Sequence, residues 1–249
     1  MNGGRVHIVG VGPGDPELLT LKALRVIKEA DVVIYTGSLI SEELKEIFKE
    51  KTALDSSKMT LEEIVQEIEV EAKKGRKVVR VHDGDPSIYG ALTEEVRELN
   101  LRGIEVKVVP GVSSFLAAAS SLKVELTCPG GPQSVIITRY PYRTSEGKGM
   151  LVDGNSSVVV FLSVHLIDKV KEELLKAFSP ETPCAVVYHA SRPDEITLRG
   201  RVGDIDQIVR SHGISSTAII IVSQCLGPVN SRSHLYSPEF THSYRRGTK

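Results

Sequence analysis

At 249 residues the chain is long enough to form two modest domains, each with a core of its own. Its 41% hydrophobic and 25% charged content is that of an ordinary globular protein, and a net charge of −1 excludes the basic excess by which a generic nucleic-acid binder engages phosphates. Trp is absent, which speaks against base stacking. No apolar run reaches bilayer-spanning length, and no signal-peptide pattern opens the chain, so a cytoplasmic protein without membrane or nucleic-acid partners is expected.

In chain order, β-branched runs predict strands at 6–11 and 32–35, separated by a helix marked by Leu18, Leu21, Leu24, Val26 and Ile27. Helical patterns follow at 41–48 and 60–73, the second opening with Thr60 and Glu63 at capping-box spacing. A strand at 77–81 ends in a turn, and the spacing of Ile88, Leu92, Val96 and Leu99 predicts a helix that begins directly after Pro86. A strand at 106–109 and a helix at 113–121 complete the first half. Such alternation predicts a mostly parallel sheet with helices on its faces.

At 123–132, Pro129, Gly130, Gly131 and Pro132 crowd together and mark a hinge, which divides the chain into α/β domains at 1–122 and 123–232. Strands are predicted at 134–138, 158–162, 185–189, 196–202 and 217–222, with helices at 164–178 and 204–211. The short link between 185–189 and 196–202 predicts an antiparallel pair and thus a mixed second sheet. Residues 233–249 read as a loose polar tail. Cys128, Cys184 and Cys225, odd in number and far apart, predict reduced thiols rather than a disulfide frame or a zinc site.

The chemistry concentrates in the loops that follow the first-half strands. Gly10-Val11-Gly12-Pro13-Gly14-Asp15 departs from the dinucleotide fingerprint: Asp15 stands where the third glycine belongs, and Pro13 removes an amide donor from the phosphate cradle. A nicotinamide enzyme is thereby disfavoured. Thr36-Gly37-Ser38-Leu39 places small residues at a strand end. The turn His82-Asp83-Gly84-Asp85-Pro86-Ser87 offers acceptors rather than donors, and so suits hydroxyls, amines or positive charge. His82 and Asp83 are adjacent and open to hydrogen bonding with each other; Asp85 serves equally well as a turn-stabilising Asx residue or as an acceptor for a ligand. Pro110-Gly111-Val112-Ser113-Ser114 puts two hydroxyls at a helix start, one of which capping explains. No Gly-x-Ser-x-Gly nucleophile elbow and no metal-ligand cluster are apparent.

Taken together, the loop at 9–16, the Gly84-Asp85-Pro86 turn and the Pro110–Ser114 turn resemble the tetrapyrrole methyltransferase superfamily. Tyr35-Thr36-Gly37-Ser38-Leu39, Glu125-Leu126-Thr127, Gln133–Arg139, Phe161-Leu162-Ser163 and Ser191-Arg192-Pro193-Asp194-Glu195 narrow the likeness to the branch acting on precorrin-4. The resemblance implies two α/β domains with a ligand cleft between them, a homodimer, and S-adenosyl-L-methionine as methyl donor, leaving S-adenosyl-L-homocysteine. It implies methylation of C11 of precorrin-4 or its cobalt form during cobalamin synthesis. Another precorrin position, ribosomal RNA or a modified histidine is the alternative acceptor within the superfamily; a non-enzymatic nucleotide-binding module is the alternative outside it.

By the same resemblance the donor lies against Pro13, Gly84 and Asp85, with Ile88 and Tyr89 beneath and Ser113 and Ser114 alongside. Phe161, Leu162, Ala190, Thr217 and Ala218 supply the remaining donor contacts. The acidic tetrapyrrole is expected to be clamped by Arg139, Arg143 and Arg192 and met by Ser38, with Tyr140, Tyr142 and His189 packing or bonding the ring. Asp83 or His82 is the candidate base. The sequence departs from the family where Arg143-Thr144 continues into Ser145, where Arg192 replaces the usual Trp, and where Asp83 replaces a frequent Thr.

Overall fold

The computed structural model describes residues 6–37, 39–141, 149–229 and 231–248, so Ser38, Tyr142 and Arg143 lie outside the described residues. Two compact units make up the chain: Met1–Ala117 with His189–Glu195, and Ala118–Tyr188 with Ile196–Lys249.

The first unit contains β1 (Val6–Gly10), α1 (Leu21–Lys28), β2 (Val32–Tyr35), α2 (Glu42–Glu46), β3 (Thr52–Asp55), α3 (Leu61–Lys73), β4 (Val78–His82), α4 (Leu92–Leu101) and β5 (Val106–Val109), and α5 (Ser114–Ser121) starts within it. The five strands run parallel in the order β3-β2-β4-β1-β5. Period-two alternation sorts the side chains. Val9, Val33, Val79 and Val81 pack with Ala23 and Ile27 of α1 and Leu44 of α2 on one face. Val6, Val32, Ile34 and Val78 pack with Ile64, Val65 and Ile68 of α3 and Leu99 of α4 on the other. The connections from β1 and β4, neighbouring strands, therefore leave toward opposite faces. Between them lies a switch point, where open parallel sheets hold ligands at their strand ends.

Two local expectations change. β3 escapes the sequence pattern because it is an edge strand of only four mostly exposed residues, paired in register with Val32–Tyr35. The helix expected directly after Pro86 begins instead at Leu92. Asp85 folds the intervening residues into a turn, accepting from the Ser87 amide at 2.8 Å, and Tyr89 and Ala91 take left-handed φ of 55° and 53°. By contrast Thr60 and Glu63 form the reciprocal capping box that their spacing predicts.

The second unit carries β6 (Val135–Arg139), β7 (Ser157–Phe161), α6 (Ile167–Leu174), β8 (Pro183–Tyr188), β9 (Ile196–Arg201), α7 (Ile205–Ser211) and β10 (Ala218–Val222). Its sheet order is β6-β7-β10-β8-β9, with β6 and β7 parallel and the remaining pairs antiparallel. Val158, Val160, Val186, Ile220 and Val222 pack under Val170 and Leu174 of α6 and Ile205 and Val209 of α7. The expectation of reduced thiols is overturned for two cysteines: Cys128 and Cys225, 97 residues apart, form a buried disulfide. Spacing gave no sign of it, because the strands bring together a loop before β6 and a turn after β10. Cys184 alone remains free, and it is buried. Residues expected as a loose tail bond among themselves, with Arg245 donating to the Leu235 and Ser237 carbonyls. No helix among the described residues is long and apolar enough to cross a membrane.

Candidate functional site

Loops after β1, β4 and β5 interlock at the strand ends of the first unit. The Val11 amide donates to the His82 carbonyl at 2.9 Å, and Gly12 and Gly84 exchange backbone hydrogen bonds at 3.1 and 2.8 Å. Asp85 clasps the third loop through its other oxygen, accepting from the Gly111 amide at 3.0 Å. Glycine is required for this approach. A Cβ on Gly10 would stand 2.7 Å from both the Gly111 nitrogen and the Gly84 carbonyl oxygen, and one on Gly111 would stand 2.2 Å from that same oxygen. Asp85 thus does the work of an Asx turn and also ties two loops together.

Around this clasp the structure brings together most of the first-unit residues singled out in the sequence. Pro13 and Gly84 are buried, Ile88 is half-buried, and the Ser114 amide lies 3.6 Å from where a Gly84 Cβ would be. Ser113 is buried at the start of α5, and Tyr89 keeps its ring exposed. The loops present carbonyls, the carboxylates of Asp83 and Asp85, and serine hydroxyls, while Pro13 has no amide to give. That chemistry fits an ammonium and a sulfonium centre and does not fit a pyrophosphate.

The segment His189–Glu195 belongs to this unit and rests on the first loop. Ser191 Oγ accepts from the Asp15 amide at 3.1 Å. The Arg192 guanidinium donates through Nη2 to the Leu39 carbonyl at 2.5 Å, and its Nε is buried against Gly14 with no partner among the described residues. Two of the three Arg192 nitrogens are therefore turned to the protein. Ala190 is buried between His189 and Ser191, both at positive φ, and His189 Nδ1 lies 2.7 Å from Asp194 Oδ2.

The two candidate bases occupy different environments. Asp83 is exposed, and among the described residues its carboxylate accepts no side-chain hydrogen bond. The surrounding protein still pushes its pKa upward by partial desolvation, against the opposing charges of His82 and Arg192. His82 does not pair with Asp83, as adjacency allowed. It points into the α4 face of the sheet, where its Nε2 lies 2.9 Å from Glu95 Oε2. Glu95 Oε1 also accepts from Arg80 Nε at 3.0 Å, and Arg80 reaches Ser56 Oγ at 2.8 Å. Burial alone would raise the Glu95 carboxyl, but His82 and Arg80 outweigh it and hold the group below its ordinary value. Arg80 and Glu95 were missed in the sequence. Their signal was a strand carrying Arg80 and His82 on one face, two residues apart, amid buried valines.

In the second unit, Arg139, Phe161, Leu162, Thr217 and Ala218 gather at one end of the sheet. Arg139 and Phe161 are register partners, and β10, running antiparallel to β7, starts where β7 finishes. Leu162 and Thr217 hold left-handed φ of 53° and 51°. Such non-glycine strain costs of order 1–3 kcal/mol per residue and concentrates at functional sites. Tyr140 packs against the core, with its amide donating to Ser163 Oγ at 2.8 Å.

A parallel sheet with glycine-interlocked strand ends, joined in one chain to a mixed five-stranded sheet, defines a two-unit α/β protein. The chain belongs to the Tetrapyrrole (Corrin/Porphyrin) Methylases, whose family model matches residues 5–206. It is 48% identical to the cobalt-precorrin-4 C(11)-methyltransferase of Methanocaldococcus jannaschii over 100% of this chain and 98% of that relative. The X-ray structure of a cobalt precorrin-4 methyltransferase superposes with a TM-score of 0.83 at 38% identity, covering 90% of this chain and 96% of the other. Uroporphyrin-III C-methyltransferase from Thermus thermophilus, solved with S-adenosylhomocysteine, gives a TM-score of 0.72 at 31% identity, covering 88% and 92%.

Proposed function

We propose that this protein is an S-adenosylmethionine-dependent C-methyltransferase that methylates C11 of precorrin-4 or cobalt-precorrin-4 in corrin-ring synthesis. The observation that carries this reading is the 48% identity, along the whole chain, with an enzyme of that name. S-adenosylmethionine, when bound, supplies a methyl group already activated on a positively charged sulfur. The protein's part is then to hold, align and keep dry, which positioning achieves with effective molarities of roughly 10⁵–10⁸ M.

Carbonyls of the loops after β1 and β4, with Asp85 behind them, receive the donor's cationic groups; Ser113 and Ser114 meet its hydroxyls. Arg139 engages a carboxylate of the acidic macrocycle, and the Arg192 nitrogen not turned to the protein engages another. The enzyme acts as a homodimer in the cytoplasm, a reading that rests on the family resemblance. Light scattering giving a monomer mass would overturn the dimer.

The test is to incubate the protein with S-adenosylmethionine and either metal-free or cobalt-loaded precorrin-4, and to locate the new methyl by NMR. A methyl on C11 supports the reading. A methyl elsewhere on the ring, or none with a donor that calorimetry shows to bind, overturns it.

A further inference from the structure

The side chains of Arg80, Glu95 and His82 form a buried cluster of specific geometry. Glu95 spends one oxygen on Arg80 Nε at 3.0 Å and the other on His82 Nε2 at 2.9 Å, with its side chain 3% exposed. Ionised, it can only accept. The hydrogen of a neutral His82 ring therefore resides on Nε2, and Nδ1 is left with its lone pair. Among the described residues no group hydrogen-bonds to Nδ1. Arg80, anchored on Ser56 and Thr36, holds Glu95 ionised and in place. His82 is the last residue of β4, at the strand end where the donor loops interlock.

We infer that Glu95 is a positioning residue that fixes His82 with Nδ1 as the proton acceptor of the methyl transfer. The inference rests on the proposed function and selects His82 over Asp83, whose carboxylate no side chain orients among the described residues. In the step, an electron pair of the ring carbon forms the new C–CH3 bond, and the S–CH3 pair leaves with sulfur as a neutral thioether. The proton that the methylated ring must lose passes to His82 Nδ1, and the resulting imidazolium is held by the Glu95 carboxylate. The charged groups around the imidazole are Glu95 from α4, Arg80 two residues back on β4, and Asp83 next in the chain, itself influenced by Arg192.

Two measurements decide the matter. Nitrogen-15 NMR of the histidine rings in the wild-type protein, with His82→Gln to assign the signal, reports the tautomer without any reaction. The expected neutral form is protonated at Nε2; a ring protonated at Nδ1 overturns the inference. Glu95→Gln keeps an acceptor for Nε2 but removes the charge that stabilises imidazolium. Its kcat/KM profile should move its acid limb to lower pH, while affinity for S-adenosylhomocysteine stays within about threefold. His82→Gln should lower kcat by about a hundredfold at unchanged donor affinity, within the range of general-base contributions. An unmoved acid limb in Glu95→Gln, or wild-type kcat in His82→Gln, overturns the assignment. Should Glu95→Gln fail to fold, the wild-type tautomer alone decides. A wild-type protein that binds donor but methylates no precorrin-4 counts against the proposed function, and the tautomer measurement separates that failure from this one.

Discussion

Replacing Gly111 by alanine tests whether three interlocked loops build the donor site. The new Cβ would lie 2.2 Å from the Gly84 carbonyl oxygen and 2.8 Å from the Gly10 carbonyl carbon, so backbone must move by about 1 Å to reach ordinary contact. No flexible side chain can yield in its place. The oxygen displaced is the one that accepts from the Gly12 amide at 3.1 Å, and the residue displaced donates to Asp85 at 3.0 Å. Overpacking costs roughly 1–3 kcal/mol and each lost hydrogen bond about 1 kcal/mol, which sets the expectation near 3 kcal/mol, or about 6–12 °C in Tm for a chain of this size. Scanning calorimetry measures the first quantity, and titration with S-adenosylhomocysteine, expected at least about tenfold weaker, measures the second. Gly75→Ala is the control: its φ of +80° carries strain of about 1 kcal/mol, but its Cβ meets nothing within 4 Å. A Gly111→Ala protein with native Tm would refute the steric interlock. A lowered Tm with native donor affinity would refute the placement of the donor at these loops.

Three further outcomes follow from the chemistry of single groups. Cys225→Ser, or reduction of the wild type, opens a 97-residue loop and should cost about 4–5 kcal/mol; melting curves that coincide with and without reductant would exclude the bridge. The Cys184 thiol, pushed up to about 12 by burial and then by the charge of Asp204, should resist iodoacetamide in the folded protein and react as the one free thiol after unfolding without reductant. Alkylation of the native protein would show that reading wrong. Asp83 keeps its proton in the folded protein above the ordinary value of 3.8, where the unfolded chain has already released it. The unfolded state then binds fewer protons, so this group's contribution to stability falls as pH rises from that value to the raised one and levels off above it. Asp83→Asn should lose that slope in urea midpoints measured between about pH 4 and pH 7, and parallel curves for the two proteins would contradict it.

Much of this was readable from residue pattern because the governing interactions are local or periodic. β2 and β5 fall where β-branched runs put them, and Thr60 caps α3 through a residue three positions away. The disulfide and β3 were not readable. One needs the second sheet assembled before Cys128 and Cys225 meet, and the other is held by pairing to β2 rather than by burial of its own side chains. Glu95 is the instructive miss. The apolar series Ile88, Leu92, Val96, Leu99 assigns the buried stripe to hydrocarbon, yet Ile88 lies in the preceding turn and the residues of α4 that are buried are Glu95 and Leu99, four apart on one face. A carboxylate in a core stripe cannot be seen by hydrophobic periodicity. It can be seen from across the interface: Arg80 and His82 share one face of a strand otherwise lined by valine, and two such groups are stable in a core only if an acid meets them. Of the two acids at the start of α4, Glu94 and Glu95, only Glu95 stands one helical step before buried Leu99. Charge on the strand face, combined with helical phase, was sufficient to pick it.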